Sequence, residues 1–138
     1  MKITVEALVH APLDTVWHVW TTPAHIVQWN AASEDWHTTA AEVDLRPGGA
    51  FRSRMEAKDG SVGFDFEGVY IEVTPKTRLV AEFGGRELVV TFEETPQGVR
   101  VVETFDAEDM HPIEMQRGGW QAILDRFAAH AAAQAVSG

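Results

Sequence analysis

Cysteine is absent from the 138 residues, which excludes disulfides, thiolate chemistry and Cys-type zinc sites. Long apolar runs are missing as well. Nothing approaches the roughly twenty consecutive apolar residues that cross a bilayer, and the opening MKITVEALVHAP has no apolar run of signal-peptide length. A soluble, cytoplasmic protein is expected. Positive charge is scarce: 11 Lys and Arg stand against 21 Asp and Glu, for a net charge of −10. Such a chain repels phosphate backbones and anionic lipid at long range, so neither nucleic acid nor a membrane surface is expected as a partner.

Repeats, low-complexity segments and Pro/Gly/Ser linkers are lacking too, and the reading is one domain over residues 1–138. A chain of 15.3 kDa hides roughly two-thirds of the surface its unfolded form exposes, enough for a real core. Gly-x-Gly-x-x-Gly, Walker and Gly-x-Ser-x-Gly signatures do not occur, which leaves nucleotide binding and serine hydrolysis without support. The six histidines form no His-x-His, HExxH or two-histidine-plus-carboxylate pattern, so no metal and no cofactor is expected.

What is present is periodicity. Ile3, Val5, Ala7 and Val9 alternate with Lys2, Thr4, Glu6 and His10, the period-two pattern of a half-buried strand at about residues 2–10. Ala11-Pro12-Leu13-Asp14 then turns into Val16, Trp17 and Trp20 at helical spacing, and Pro23 restarts a second short helix closed by Trp29. From Trp36 to Asp106 six strands alternate with turn signals at residues 47–49, 58–61, 74–77, 84–85 and 95–98. After Asp109-Met110-His111-Pro112, the residues Met115, Trp120, Ile123, Leu124, Phe127 and Ala131 recur at helical spacing to the alanine-rich tail. The fold class is α+β: a curved antiparallel sheet of about seven strands wrapped on a long C-terminal helix, with two short helices after the first strand.

Hairpin pairing gives a register. With Lys58 to Ser61 as the loop, Met55 faces Phe64, Ser53 faces Phe66, Arg54 faces Asp65 and Arg52 faces Glu67. One face is apolar and the other is a ladder of arginines and carboxylates, so Arg52 and Arg54 read as solvent-side ion-pair partners rather than an anion clamp. The same alternation turns Gly68, Tyr70, Ala81, Phe83, Leu88, Val90, Phe92, Val99, Val101, Glu103 and Phe105 inward. In the strand before Pro47 the inward set reads His37, Thr39, Ala41, Val43 and Leu45.

Several phrases carry a family resemblance: Ala11-Pro12-xxx-Val16-Trp17-xx-Trp20-Thr21-xx-Ala24, Asp44-Leu45-Arg46-Pro47-Gly48-Gly49-Ala50-Phe51-Arg52, Gly68-Val69-Tyr70-xx-Val73-x-Pro75-xx-Arg78-Leu79 and Gly119-Trp120-xxx-Leu124-Asp125-Arg126. Their order and spacing resemble the bacterial relatives of the activator of the heat-shock-protein-90 ATPase, within the helix-grip superfamily of START and birch-pollen-allergen-like (SRPBCC) domains. The resemblance covers essentially the whole chain and implies a cavity between sheet and terminal helix. It also implies an apolar residue where Glu103 stands.

Glu103 is the first candidate, since an ionised carboxylate among Val99, Val101 and Phe105 costs several kcal/mol unless paired. Such a group anchors a ligand or acts as a general base; at a sheet edge it would simply reach water or an arginine. His37 could shuttle a proton near neutral pH, or be a core histidine satisfied by a backbone carbonyl. Tyr70 could orient a ligand oxygen or bond to a neighbour. Gly118 and Gly119, costly inside a helix, suggest room for a ligand or close passage of the sheet.

The leading expectation is a monomer or homodimer that binds a small hydrophobic or aromatic molecule. Trp20, Trp36, Phe66, Tyr70, Phe83, Val90, Met115 and Trp120 would form the walls, and His37 and Glu103 the polar anchors. One alternative is a cavity enzyme, a polyketide cyclase or dehydratase or a hydrolase, with Glu103 or His37 as acid and base. The other, implied by the resemblance, is a chaperone accessory that stimulates a heat-shock ATPase through an outer surface.

Overall fold

Two glycines in the left-handed region, Gly84 at φ 56° and Gly85 at φ 77°, turn β5 (Arg78–Phe83) directly into β6 (Arg86–Thr95). Both central positions of such a two-residue turn need positive φ, which glycine adopts without strain. The remaining elements of this computed structural model are β1 (Lys2–Val9), α1 (Leu13–Thr21), α2 (Pro23–Trp29), β2 (Trp36–Val43), β3 (Ala50–Ala57), β4 (Gly63–Thr74), β7 (Gly98–Asp106) and α3 (Ile113–Ser137). The structure describes the backbone of residues 1–137 and the side chains of residues 1–135, so Gly138 lies outside it.

All seven strands form one antiparallel sheet in the order β1-β7-β6-β5-β4-β3-β2. The sheet curls around α3. Register shifts in β2 between Thr38 and Ala40 and in β4 between Tyr70 and Glu72 mark bulges, which bend a strand and raise its twist. At the pair Phe51 and Gly68 the ring lies over the glycine, where an added Cβ would stand 2.7 Å from the ring edge.

The core lies where α3 meets β1 and β7. Ile3, Val9, Val101, Phe105, Leu124, Phe127 and Ala131 are all fully buried there. Removing an aromatic ring from such a site costs about 3–5 kcal/mol. Trp120 stacks flat on Phe105, with centroids 3.8 Å apart and planes 14° apart. Phe127 meets Trp20 at 4.8 Å and Trp29 at 5.0 Å, which seats both short helices on the long one. Two polar contacts complete the seat: the indole N–H of Trp29 donates to the Val19 carbonyl at 3.1 Å, and the Thr38 hydroxyl to the Asn30 carbonyl at 2.5 Å.

The β3–β4 register follows the charge match: Arg52 stands opposite Glu67 and Arg54 opposite Asp65. The guanidinium groups pair on the solvent face, Arg52 with Glu42 at 2.8 Å and Arg54 with Glu56 at 3.0 Å. Three expectations need correction. The β2 bulge at Thr39 breaks the period-two count, so Thr38 is buried while His37 sits opposite Glu56 on the outer face and Thr39 is exposed. Ala41 and Val43, beyond the bulge, keep their inward places.

Met115 is 61% exposed, and the buried position in that turn of α3 belongs to Gln116. Its side-chain amide donates to the carbonyls of His111 and Glu108 and accepts from the Glu108 N–H, tying the 107–112 loop to the helix. Finally, Gly118 and Gly119 have no close neighbour: a Cβ on either would meet nothing within 4 Å. The sheet does not pass close to them and neither lines the cavity. Gly118→Ala and Gly119→Ala should therefore each stabilise the protein, by about 1 kcal/mol through helix propensity. Thermal melts of the single and double variants check this, with a drop in Tm as the contrary result.

Candidate functional site

Away from the α3–β1–β7 core, the sheet and the helix diverge and enclose a cavity of about 320 Å³. The helical side contributes Trp20, Ile26, Trp29 and Asn30 from α1, α2 and the residue after it, and Trp120 and Ile123 from α3. The sheet side contributes Val43, Phe51, Ser53, Met55, Phe64, Phe66 and Tyr70 from β2 to β4. Leu79, Ala81, Arg86, Leu88, Val90 and Glu103 complete the floor from β5 to β7, and Glu42 stands at the rim. The size falls within the usual range for small-molecule sites.

Strand parity explains who is inside. Val5, Val90 and Glu103 are cross-strand partners on β1, β6 and β7, and partners in register point to one face. Glu103 is therefore carried into the apolar interior by its own strand. The residue is only 5% exposed; its carboxyl makes no hydrogen bond and no ion pair among the described residues, and its oxygens open onto the cavity rather than being sealed in the core. Burial pushes its pKa from 4.5 up to about 8, so near neutral pH it is a neutral acid that donates a proton. Tyr70 is equally without a hydroxyl partner, and burial raises its pKa from 10.0 to about 12, which keeps the phenol a donor. Two buried donors thus face an apolar cavity.

Of the residues anticipated from sequence, Trp20, Phe66, Tyr70, Val90, Glu103 and Trp120 come together on the cavity wall. Phe83 is buried one layer behind, at 5.3 Å from Phe66 and 5.9 Å from Trp120. Trp36 shares the inward face with Thr38 but packs beside Phe64 at 5.9 Å, outside the cavity. His37 and Met115 do not reach it, and the acid–base partnership of His37 with Glu103 is ruled out by their opposite faces. Arg86, Phe51 and Ser53 are lining residues that sequence reasoning missed. Arg86 has the parity of Leu88 and Val90, and Ser53 that of Met55, so the signal was there in both strands.

The family model described as "Activator of Hsp90 ATPase homolog 1-like protein" matches residues 10–132. The chain belongs to this family. A solution structure of an AHSA1-like protein from Aeromonas hydrophila is 48% identical, with 97% of this chain and 94% of that one covered at a TM-score of 0.91. A solution structure of a protein from Cytophaga hutchinsonii is 44% identical over 96% of this chain and 93% of that one, with a TM-score of 0.83. A crystal structure of a protein from Chromobacterium violaceum is 25% identical over 94% and 96%, with a TM-score of 0.83. No curated protein matches the chain significantly. Among the described residues no helix is long and apolar enough to cross a membrane, and no cluster of three or more potential metal ligands occurs.

The protonated Glu103 has a consequence for stability. The folded chain holds this proton more tightly than the unfolded one, so its stabilising effect is complete below about pH 4.5 and is lost as pH rises through about 8. The loss amounts to about 1.4 kcal/mol per pH unit across that window. Denaturant unfolding at pH 5.5 and 8.5 should show the wild type weakened at the higher pH, with the slope largely removed in Glu103→Gln. An identical slope in both proteins is the contrary outcome.

Proposed function

We propose that this protein binds a small, largely apolar molecule, aromatic in its main body, in the cavity between the sheet and α3. The observation that carries the reading is the pair of donors, Glu103 and Tyr70, on buried residues whose oxygens have no protein partner among the described residues and open onto a mostly aromatic and aliphatic hollow. A ligand that fills the hollow and excludes water from these oxygens must offer them an acceptor, since a polar group left unpaired on burial costs roughly 1–3 kcal/mol. Flat walls at Trp20, Phe66 and Trp120 suit a ring system. The family membership supports the same reading, since the resemblance noted in the sequence implies a cavity between sheet and terminal helix. The ATPase-activating role named in the family description would use an outer surface, and the features gathered above lie inside.

The test is an NMR titration of the isotopically labelled protein with a panel of naphthalene- and biphenyl-sized compounds that carry one carbonyl or hydroxyl. Binding in the micromolar range is expected, with shifts at the indole N–H groups of Trp20, Trp29 and Trp120. Val90→Phe, which fills the hollow from the floor, should weaken binding at least tenfold while the protein remains folded. Shifts confined to the outer strand faces, or unaltered affinity in Val90→Phe, would overturn the proposal.

A further inference from the structure

Arg86 is unlike every other arginine in the protein. Arg46, Arg52, Arg54, Arg78, Arg100, Arg117 and Arg126 each pair with a carboxylate on the surface. Arg86 lines the cavity and has no such pair among the described residues, in a chain where acids outnumber bases 21 to 11. Two acids near it on the sheet, Asp106 and Glu87, are already matched. Lys2 takes Asp106 at 2.8 Å and Glu87 at 3.1 Å. Glu108 lies near enough to feel the guanidinium's charge, but its carboxylate accepts from the His111 backbone at 2.7 Å and lies 2.9 Å from that imidazole.

The guanidinium is also held in place. The tight glycine turn makes Phe83 and Arg86 direct cross-strand partners, which puts both on the inward face. The guanidinium carbon sits 4.6 Å from the centre of the Phe83 ring, and Nε donates to the Asp106 carbonyl at 2.9 Å. Stacking and one anchored nitrogen fix the plane of the group, while the two terminal nitrogens make no hydrogen bond among the described residues. A fixed planar fork with free terminal donors matches a carboxylate in a bidentate way.

We infer that the ligand is a monoanionic, otherwise apolar molecule, an aryl or aliphatic carboxylate, with its carboxylate held by Arg86. The inference rests on the cavity reading above and adds the charge and polarity of the ligand. Among the described residues no lysine and no second arginine lines the cavity, so a dianionic phosphate would keep one charge uncompensated in a mostly apolar enclosure. Glu103 lies opposite Val90, and Arg86 precedes Val90 by four residues on β6, about 13 Å at the rise of a strand. The carboxylate and a neutral oxygen facing Glu103 therefore belong to different ends of the molecule, with the apolar body over Leu88 and Val90 between them.

The test uses a matched pair of probes, 1-naphthylacetate and its neutral amide, titrated calorimetrically at fixed pH and 0.15 M salt. Wild-type protein should bind the acid roughly tenfold to a hundredfold more tightly than the amide. Arg86→Gln should abolish the preference by a much larger loss of affinity for the acid than for the amide, and Arg86→Lys, which keeps the charge but loses the fork, should restore part of it. Equal binding of the two probes by wild type, or a preference that survives Arg86→Gln in folded protein, overturns the charge inference and leaves the cavity reading intact. Failure of both probes to bind wild type overturns the two together.

Discussion

The stack of Trp120 on Phe105, continued by Leu124, Phe127 and Ala131, presses α3 against β1 and β7 and thereby decides where the rest of the interior is solid and where it is hollow. A seven-stranded curled sheet offers more inward face than one helix can cover. Because the helix is drawn to one side by its largest contacts, much of the inward face of β3 to β6 borders the cavity, with Phe66, Phe83 and Phe92 reaching aromatic partners on α3 and α1 at its margins. The aromatic contacts among Trp20, Trp29 and Phe127 then seat α1 and α2 across the end of that gap. Packing on one side and a cavity on the other are two results of a single placement.

That division also makes an acid tolerable in the interior. Glu103 stands between Val5 and Val90, a place where ionisation would cost several kcal/mol. It avoids that cost by keeping its proton and by facing space instead of close-packed carbon. The close packing lies on one side of the interior, and the two donors without protein partners, Glu103 and Tyr70, lie on the other, where their oxygens open onto the cavity. Arg86 repeats the arrangement at the end of β6, with an aromatic ring beneath it in place of a counterion.

The fold was legible in the sequence where a simple period held. The alternation in β3 and β4, reinforced by opposed charges, gave the register of that hairpin, and the same count carried correctly from Tyr70 through Phe105. It failed at β2, because an extra residue at Thr39 shifts every position before it to the other face, and nothing in the composition of Trp36 to Ala41 announces that insertion. It failed at Met115 because the start of α3 is set by a glutamine that binds the preceding loop, so an apolar residue was read as core one position early. The cavity was partly legible. Parity could say that Glu103 and Tyr70 point inward, but not that Arg86 would lie on Phe83, which depends on the handedness of a two-glycine turn.

The pairing of β1 with β7 reaches beyond the static structure. Lys2 lies opposite Asp106 and Val9 opposite Val99, so the first strand made is hydrogen-bonded along its length to the last. No early part of the chain can complete its own core, since Ile3 and Val9 are buried only once β7 and α3 are present. A chain emerging from the ribosome must hold the apolar strand β1 open until β7 and α3 have been synthesised, and closing so long a loop slows folding. The geometry that builds the hollow thus also sets the interval during which a nascent molecule depends on its cell for protection against aggregation.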